Sequence, residues 1–221
     1  MSSVSPDVAA CGGVLMQEID RFIQQRKPVA AIHSAREAVE SGSLSVPELH
    51  ALVLAPLMAL VGARWQSGEE VVWEEHYTTS IVRTIVESMH DIVALRAAEV
   101  PPNGHTVILA CPAEEYHDLG LRMLADRLTL GGYVVHFLGA SLPIGELVLA
   151  VKELGSDTVL LSASTHFHRM QLREYADVLA EETPHVRIWA GGAAFAHGHS
   201  GWSDDEVPDL AVLLGDLRTG A

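Results

Sequence analysis

At Pro101-Pro102-Asn103-Gly104 the apolar periodicity of this chain changes from helical to strand-like, and that switch limits the fold more than any other feature. Such a run of prolines, asparagine and glycine does not sit inside a helix or a central strand. Upstream, apolar residues recur at intervals of three and four. Val14-Leu15, Ile19 and Phe22-Ile23 mark a first helix that Pro28 interrupts, and 29–40 is a second that stops at Ser41-Gly42. Ser45-Val46-Pro47-Glu48 has the form of a capping box with proline in the first turn, and it opens a third helix whose apolar stripe runs from Leu49 to Trp65. Ser67-Gly68 breaks that helix, Glu69-Glu70 favour a new start, and a fourth helix is expected to continue to about Ala98. Short connections between four helices predict an antiparallel bundle over 14–100.

Downstream, short apolar runs alternate with helical segments. Strands are expected at 106–111, 133–138, 158–162, 187–190 and 210–214, with helices at 119–130, 144–154, 170–182 and, shorter, 193–199. Continuous apolar strands separated by helices imply a parallel sheet covered on both faces. The expected fold class is α/β: an N-terminal four-helix bundle, then a flavodoxin- or Rossmann-like five-stranded parallel sheet of order 2-1-3-4-5 over 104–221.

Charge and cysteine usage narrow the function classes. Fourteen basic residues against 29 acidic ones give a formal net charge of −15, which offers no cationic footprint for phosphate backbones. Direct nucleic-acid binding is therefore not expected. A membrane span is not expected either, because no run of about 18 apolar residues occurs. The N-terminus lacks the basic region of a secretory signal, and Cys11 and Cys111 are the only cysteines, so the default location is cytoplasmic. Cys11 is assigned to a tail and Cys111 to a strand end.

The chemistry-bearing residues gather at one place in this pattern. Glu115-Tyr116-His117-Asp118-Leu119-Gly120 follows the first strand, at the carboxyl edge where open α/β sheets bind ligands. An acid two residues before a histidine suits a histidine that ligates a metal carried in by a cofactor, since the carboxylate can orient the ring. Ser162-Ala163-Ser164 and Gly191-Gly192 end the third and fourth strands, where small residues let a bulky ligand approach the backbone. His166, His168, His197 and His199 belong to the same edge and are expected as solvated loop residues.

This constellation resembles the cobalamin-binding domain shared by methionine synthase, the cobalamin-dependent mutases and the CarH-type photoreceptors. Glu115, His117 and Gly120, with Asp118 between them, meet that family's Asp/Glu-x-His-x-x-Gly motif. The resemblance implies that His117 is the lower axial ligand of cobalt and that Glu115 tunes its imidazole. It also implies a groove for the displaced nucleotide tail, lined by Ser162, Ser164, Gly191 and Gly192. The family's Ser-x-Leu is Ser162-Ala163-Ser164 here, and its Gly-x-Gly-Gly is Trp189-Ala190-Gly191-Gly192, departures that bear on the tail contacts.

Trp65, followed after nine residues by Glu75-His76, matches the Trp-x9-Glu-His motif of the CarH-type photoreceptors, which bind adenosylcobalamin. The match implies that Trp65 packs over the upper corrin face, with Glu75 and His76 beside it. Gln66 stands where such proteins can carry a histidine that captures cobalt after light expels the adenosyl group. Only about a dozen residues precede the bundle pattern, so the MerR-type DNA-binding domain of those regulators is not expected in this chain.

What the resemblance implies for function is a sensor and not an enzyme. Photolysis of adenosylcobalamin would change conformation or assembly, with a homo-oligomer and a signalling protein as partners. Similarity to the photocobilins adds biliverdin as a second chromophore, with Tyr77, Arg83 and Trp202 as contacts. Two alternatives stay open: a corrinoid methyl-carrier subunit of a methyltransferase, and a cobalamin-dependent antirepressor without photochemistry.

Overall fold

Ser5 opens the first helix by accepting a hydrogen bond from the Val8 N–H, and Pro6 takes an early position where its missing N–H costs nothing. Helix α1 therefore spans Pro6–Gln24 and starts well before residue 14. Cys11 lies inside it and is half-buried, so it is not a tail residue. A capping signal sets this start, and apolar spacing around Gly12-Gly13 is too weak to reveal it. The computed structural model describes residues 5–196, 198, 201–203 and 205–207. It divides into two units, Met1–Ala94 and Leu95–Ala221.

In the first unit α1 is followed by α2 (Pro28–Glu40), α3 (Val46–Leu49), a π-helical turn (His50–Leu54), α4 (Ala55–Ser67) and α5 (Val72–Glu87). The expected capping box is formed: Ser45 N–H donates to Glu48 Oε2 at 2.7 Å, and Glu48 N–H donates to Ser45 Oγ at 3.3 Å. In the π turn the Ala55 N–H reaches back to the His50 carbonyl. A wider turn there relieves the clash that the Pro56 ring would make with the carbonyl four residues earlier. Val46–Ser67 as a whole is long and apolar enough to cross a membrane by length and composition alone. Its stripe of Leu49, Val53, Leu54, Leu57 and Val61 is fully buried, as in a core helix, and the helix packs on α1.

The fourth predicted helix is two helices. It breaks after Glu87, where Ser88 Oγ donates to the Ile85 carbonyl, and resumes as α6 (His90–Ala97). Arg36 from α2 seals the break by donating to the Ser88 carbonyl at 2.5 Å and to Asp91 Oδ2 at 2.8 Å.

The second unit runs β1 (Thr106–Pro112), α7 (Leu119–Leu130), β2 (Val134–Leu142), α8 (Ile144–Leu154), β3 (Thr158–Ser162), α9 (His166–Glu182) and β4 (Arg187–Gly191). All described pairings are parallel and the order is β2-β1-β3-β4. The α/β class and the order expected from the sequence therefore hold over four strands; the expected strand at 210–214 lies outside the described residues. Along β1 alternate side chains enter opposite cores. Val107, Leu109 and Cys111 pack with Leu121, Ala125 and Leu128, whereas Ile108 and Ala110 pack with Val159, Leu161, Leu172 and Ala176. Of the expected helix at 193–199, the described residues form a short 3₁₀ turn, Ala193–Phe195, and His197 and His199 lie outside the described residues.

Two adjacent glycines in α1 should respond oppositely to alanine. A Cβ on Gly12 would lie 2.7 Å from Leu52 Cβ in the π turn, while one on Gly13 would meet nothing within 4 Å. Gly13→Ala should raise urea stability by up to about 1 kcal/mol. Gly12→Ala should lower it by about 1–2 kcal/mol, because overpacking outweighs the propensity gain.

Candidate functional site

The loop between β1 and α7 is pinned before it presents any side chain. Glu114 adopts a left-handed conformation at φ 66°, and its N–H donates to Ser141 Oγ at 3.1 Å. Ser141 N–H in turn donates to the Glu115 carbonyl at 3.0 Å. Tyr175 of α9 ties the same loop to the end of β2, accepting from Ala113 N–H at 3.0 Å and donating to the Leu142 carbonyl at 2.9 Å. Asp118, buried, stands at the start of α7, and its carboxylate lies beside Gly139, which takes φ +75° where β2 slips register.

Held in this way, Glu115 is fully buried, yet it is surrounded by donors. Its Oε1 accepts from His117 N–H at 2.9 Å and lies 2.7 Å from His117 Nδ1. Its Oε2 accepts from Ser164 N–H at 2.7 Å and Ser164 Oγ at 2.6 Å. His168 Nδ1 is 2.9 Å from the same oxygen. Burial pushes the Glu115 carboxyl up, but the Ser164 hydroxyl, the His117 and Ser164 N–H groups and the His117 ring together pull it further down, to about 2. An ionised carboxylate only accepts, so Nδ1 of His117 carries a proton toward it. The His117 side chain is 73% exposed, so Nε2 belongs to a ring standing in the open.

The other sheet-edge residues divide by role. Ser164 faces Glu115 and buttresses it, and its Oγ also lies 3.0 Å from His117 Nδ1. Ser162 ends β3 opposite Gly191. Among the described residues, a Cβ on Gly120 or Gly191 would meet nothing within 4 Å, so none of them demands glycine there. Gly192 is different: at φ +101° its missing Cβ makes room for the Ala163 carbonyl oxygen, a demand of the strand ends. Sequence spacing missed His168. Expected on a solvated loop, it lies in the first turn of α9, where Thr165 Oγ1 caps the helix by accepting from His168 N–H at 3.2 Å. Thr165, at the position before a helical turn, is the signal that places it.

In the first unit Trp65 stands on the last turn of α4 and Glu75 and His76 on the first turns of α5, on either side of the turn that joins the two helices. Trp65 is 49% exposed, and Val71, Val72 and Trp73 on the same hairpin are exposed as well. Glu75 bridges to His76 Nδ1 through one oxygen and accepts from Thr79 Oγ1 at 2.7 Å through the other. Arg64, next to Trp65, is clamped by Asp20 at 2.8 and 2.7 Å and by the buried Glu70 at 3.2 Å. Gln66 is exposed.

Two measurements check these environments. Glu115 has a folded pKa depressed from 4.5 to about 2, so the stability it contributes is present above the ordinary carboxylate range and is lost as pH falls through about 2. Glu115→Gln should cost about 1–3 kcal/mol in urea unfolding near neutral pH, with the gap to the parent closing toward pH 2. Burial pushes the Cys111 thiol up to about 12, with the Glu115 and Asp118 charges adding to it. Alkylation of the native chain at about pH 8 should therefore modify Cys11 and spare Cys111, and unfolding should expose both.

Comparison with known proteins agrees with the geometry. Residues 105–207 match a family model described as a B12 binding domain, and residues 23–88 match a second model of the same description. The chain is 37% identical over 153 residues to the HTH-type transcriptional repressor CarH of Myxococcus xanthus, a match covering 68% of this chain and 49% of that protein. It thus spans about half the length of that relative. It is 28% identical over 200 residues to dimethylamine corrinoid protein 2 of Methanosarcina acetivorans, covering 86% of each. The solved monomethylamine corrinoid protein of Methanosarcina barkeri shares the fold, with a TM-score of 0.74 and 17% identity over 92% of this chain and 96% of that one. With B12 binding domain matches over both 23–88 and 105–207, this chain is a cobalamin-binding protein.

Proposed function

We propose that this chain is a light-responsive adenosylcobalamin sensor in which His117 binds cobalt from below and Trp65, Glu75 and His76 attend the upper face. The observation that carries it is the buried Glu115 carboxylate holding an exposed imidazole by Nδ1. A ring oriented in this way offers Nε2 in one direction and gains basicity from its partner. The open space at Gly120 and Gly191 supports the fit, since a corrin or its nucleotide tail can lie against backbone there. Ser162, Ser164 and Gly192 stand at the strand ends where the groove for that tail is proposed, with Asp118 at the start of α7.

When bound, adenosylcobalamin supplies a cobalt–carbon bond that visible light breaks. The chain's own residues do the rest. Trp65 has a half-exposed indole that would be available to the cofactor, and Glu75 holds the His76 ring on the same hairpin. Gln66 has no imidazole, so His76 would be the histidine this hairpin could offer to cobalt. Loss of the adenosyl group would change self-association or the binding of a protein partner in signalling, in a cytoplasmic setting and without catalysis by the chain itself. Biliverdin as a second chromophore gains nothing from Trp202, whose buried ring lies against Phe195 and under Arg173. Tyr77 already lies under Arg26.

A methyl-carrier role is the second reading, favoured by the match over 86% of a dimethylamine corrinoid protein. Higher identity to the CarH repressor and the Trp65, Glu75 and His76 spacing favour the sensor. The full chain loaded with adenosylcobalamin in the dark should change its absorbance within seconds to minutes of green light, and its elution volume should shift. His117→Ala should lose the histidine-ligated spectrum. An absorbance unchanged by light, together with methyl exchange with a corrinoid methyltransferase, would establish the carrier instead.

A further inference from the structure

Four hydrogen bonds meet the two oxygens of Glu115, two from His117 and two from Ser164. A further nitrogen, His168 Nδ1, stands at ion-pair distance, 2.9 Å from Oε2. His168 reaches the site from a different element. Its side chain is only 13% exposed, and Thr165 holds it through the helix cap and through Oγ1, 3.0 Å from Nδ1. It is thus a built-in neighbour of the carboxylate and not a loop histidine swinging past it.

We infer that His168 is a positioning residue that limits how strongly Glu115 draws on His117, and so how tightly His117 holds cobalt. The inference rests on the proposed role of His117 as the lower ligand. A carboxylate offers about four lone-pair sites, so its four hydrogen bonds already fill it and the His168 ring competes for Oε2. Electron density that Oε2 gives to the His168 ring is not available to the bond between Oε1 and His117 Nδ1, and the two imidazoles divide one charge. Geometry is already secured without His168. Two bonds from Ser164 and one from the His117 N–H fix where the carboxylate lies. Removing His168 therefore leaves the carboxylate in place and concentrates its charge on His117. A more basic His117 binds cobalt more tightly.

The test uses the full chain loaded with aquocobalamin, with the midpoint potential of the cobalt(II)/cobalt(I) couple as the readout. An axial imidazole binds cobalt(II) and leaves cobalt(I), so a tighter His117 lowers that potential. Electron paramagnetic resonance of the cobalt(II) state reports the axial nitrogen directly. His168→Leu keeps the volume and removes the donor, and should move the potential to more negative values with the axial nitrogen signal retained. His168→Asn puts an amide N–H where Nδ1 was and should return the potential to that of the parent. A His168→Leu potential equal to the parent's, or more positive, overturns the inference. Should His168→Leu lose its native circular dichroism, His168→Gln replaces it, because its amide takes the place of Nε2 and leaves Oε2 without this donor. If the parent lacks the axial nitrogen signal and matches His117→Ala in potential, the role of His117 fails and the proposed function with it.

Discussion

Burial of the Glu115 carboxylate is the constraint around which the second unit is arranged. A charge with no exposure is tolerated only when its lone pairs are met, and here three segments far apart in sequence meet them. The loop after β1 supplies His117, the end of β3 supplies Ser164, and the first turn of α9 supplies His168. Each depends on its strand or helix ending at one residue and not the next. Parallel strands make this possible, because they deliver all their carboxyl ends to one edge.

The devices that place those ends are ordinary local chemistry. Ser141 and Tyr175 pin the loop that carries Glu115, the register slip in β2 makes room at Gly139 for Asp118, and Thr165 starts α9 where His168 can turn inward. The first unit shows the same economy at its hairpin. Gly68 ends α4 at φ 79°, and Arg64 ties that end to Asp20 and Glu70, so Trp65 stands on a braced turn although its ring is half-exposed. Apolar surface left open on a braced element is surface available to a ligand.

Legibility from sequence followed the strength of each local signal. The switch at Pro101-Pro102-Asn103-Gly104, the first four strands, the capping box at Ser45 and the pairing of Glu115 with His117 were all readable, because each is written within a few consecutive residues. The start of α1 was not, since a serine cap and a proline carry it and the residues behind them include Gly12 and Gly13. The break at Ser88 was missed because helical apolar spacing continues across it, and only the side-chain bonds there show the interruption. Gly192 looked like room for a ligand, whereas the Ala163 carbonyl already requires it.

Sequence alone determined the two kinds of architecture, the sheet edge at which Glu115 and His117 stand, and the pairing of those two residues. Those follow from periodicity and spacing, which act over a few residues and survive any change in packing. Only the tertiary structure decided who shares the Glu115 carboxylate. Ser164 and His168 lie 49 and 53 residues from it, and no local pattern records that the end of β3 and the start of α9 meet at the same charge. A buried carboxylate collects donors by proximity in space, and proximity of that kind exists only once the sheet has formed.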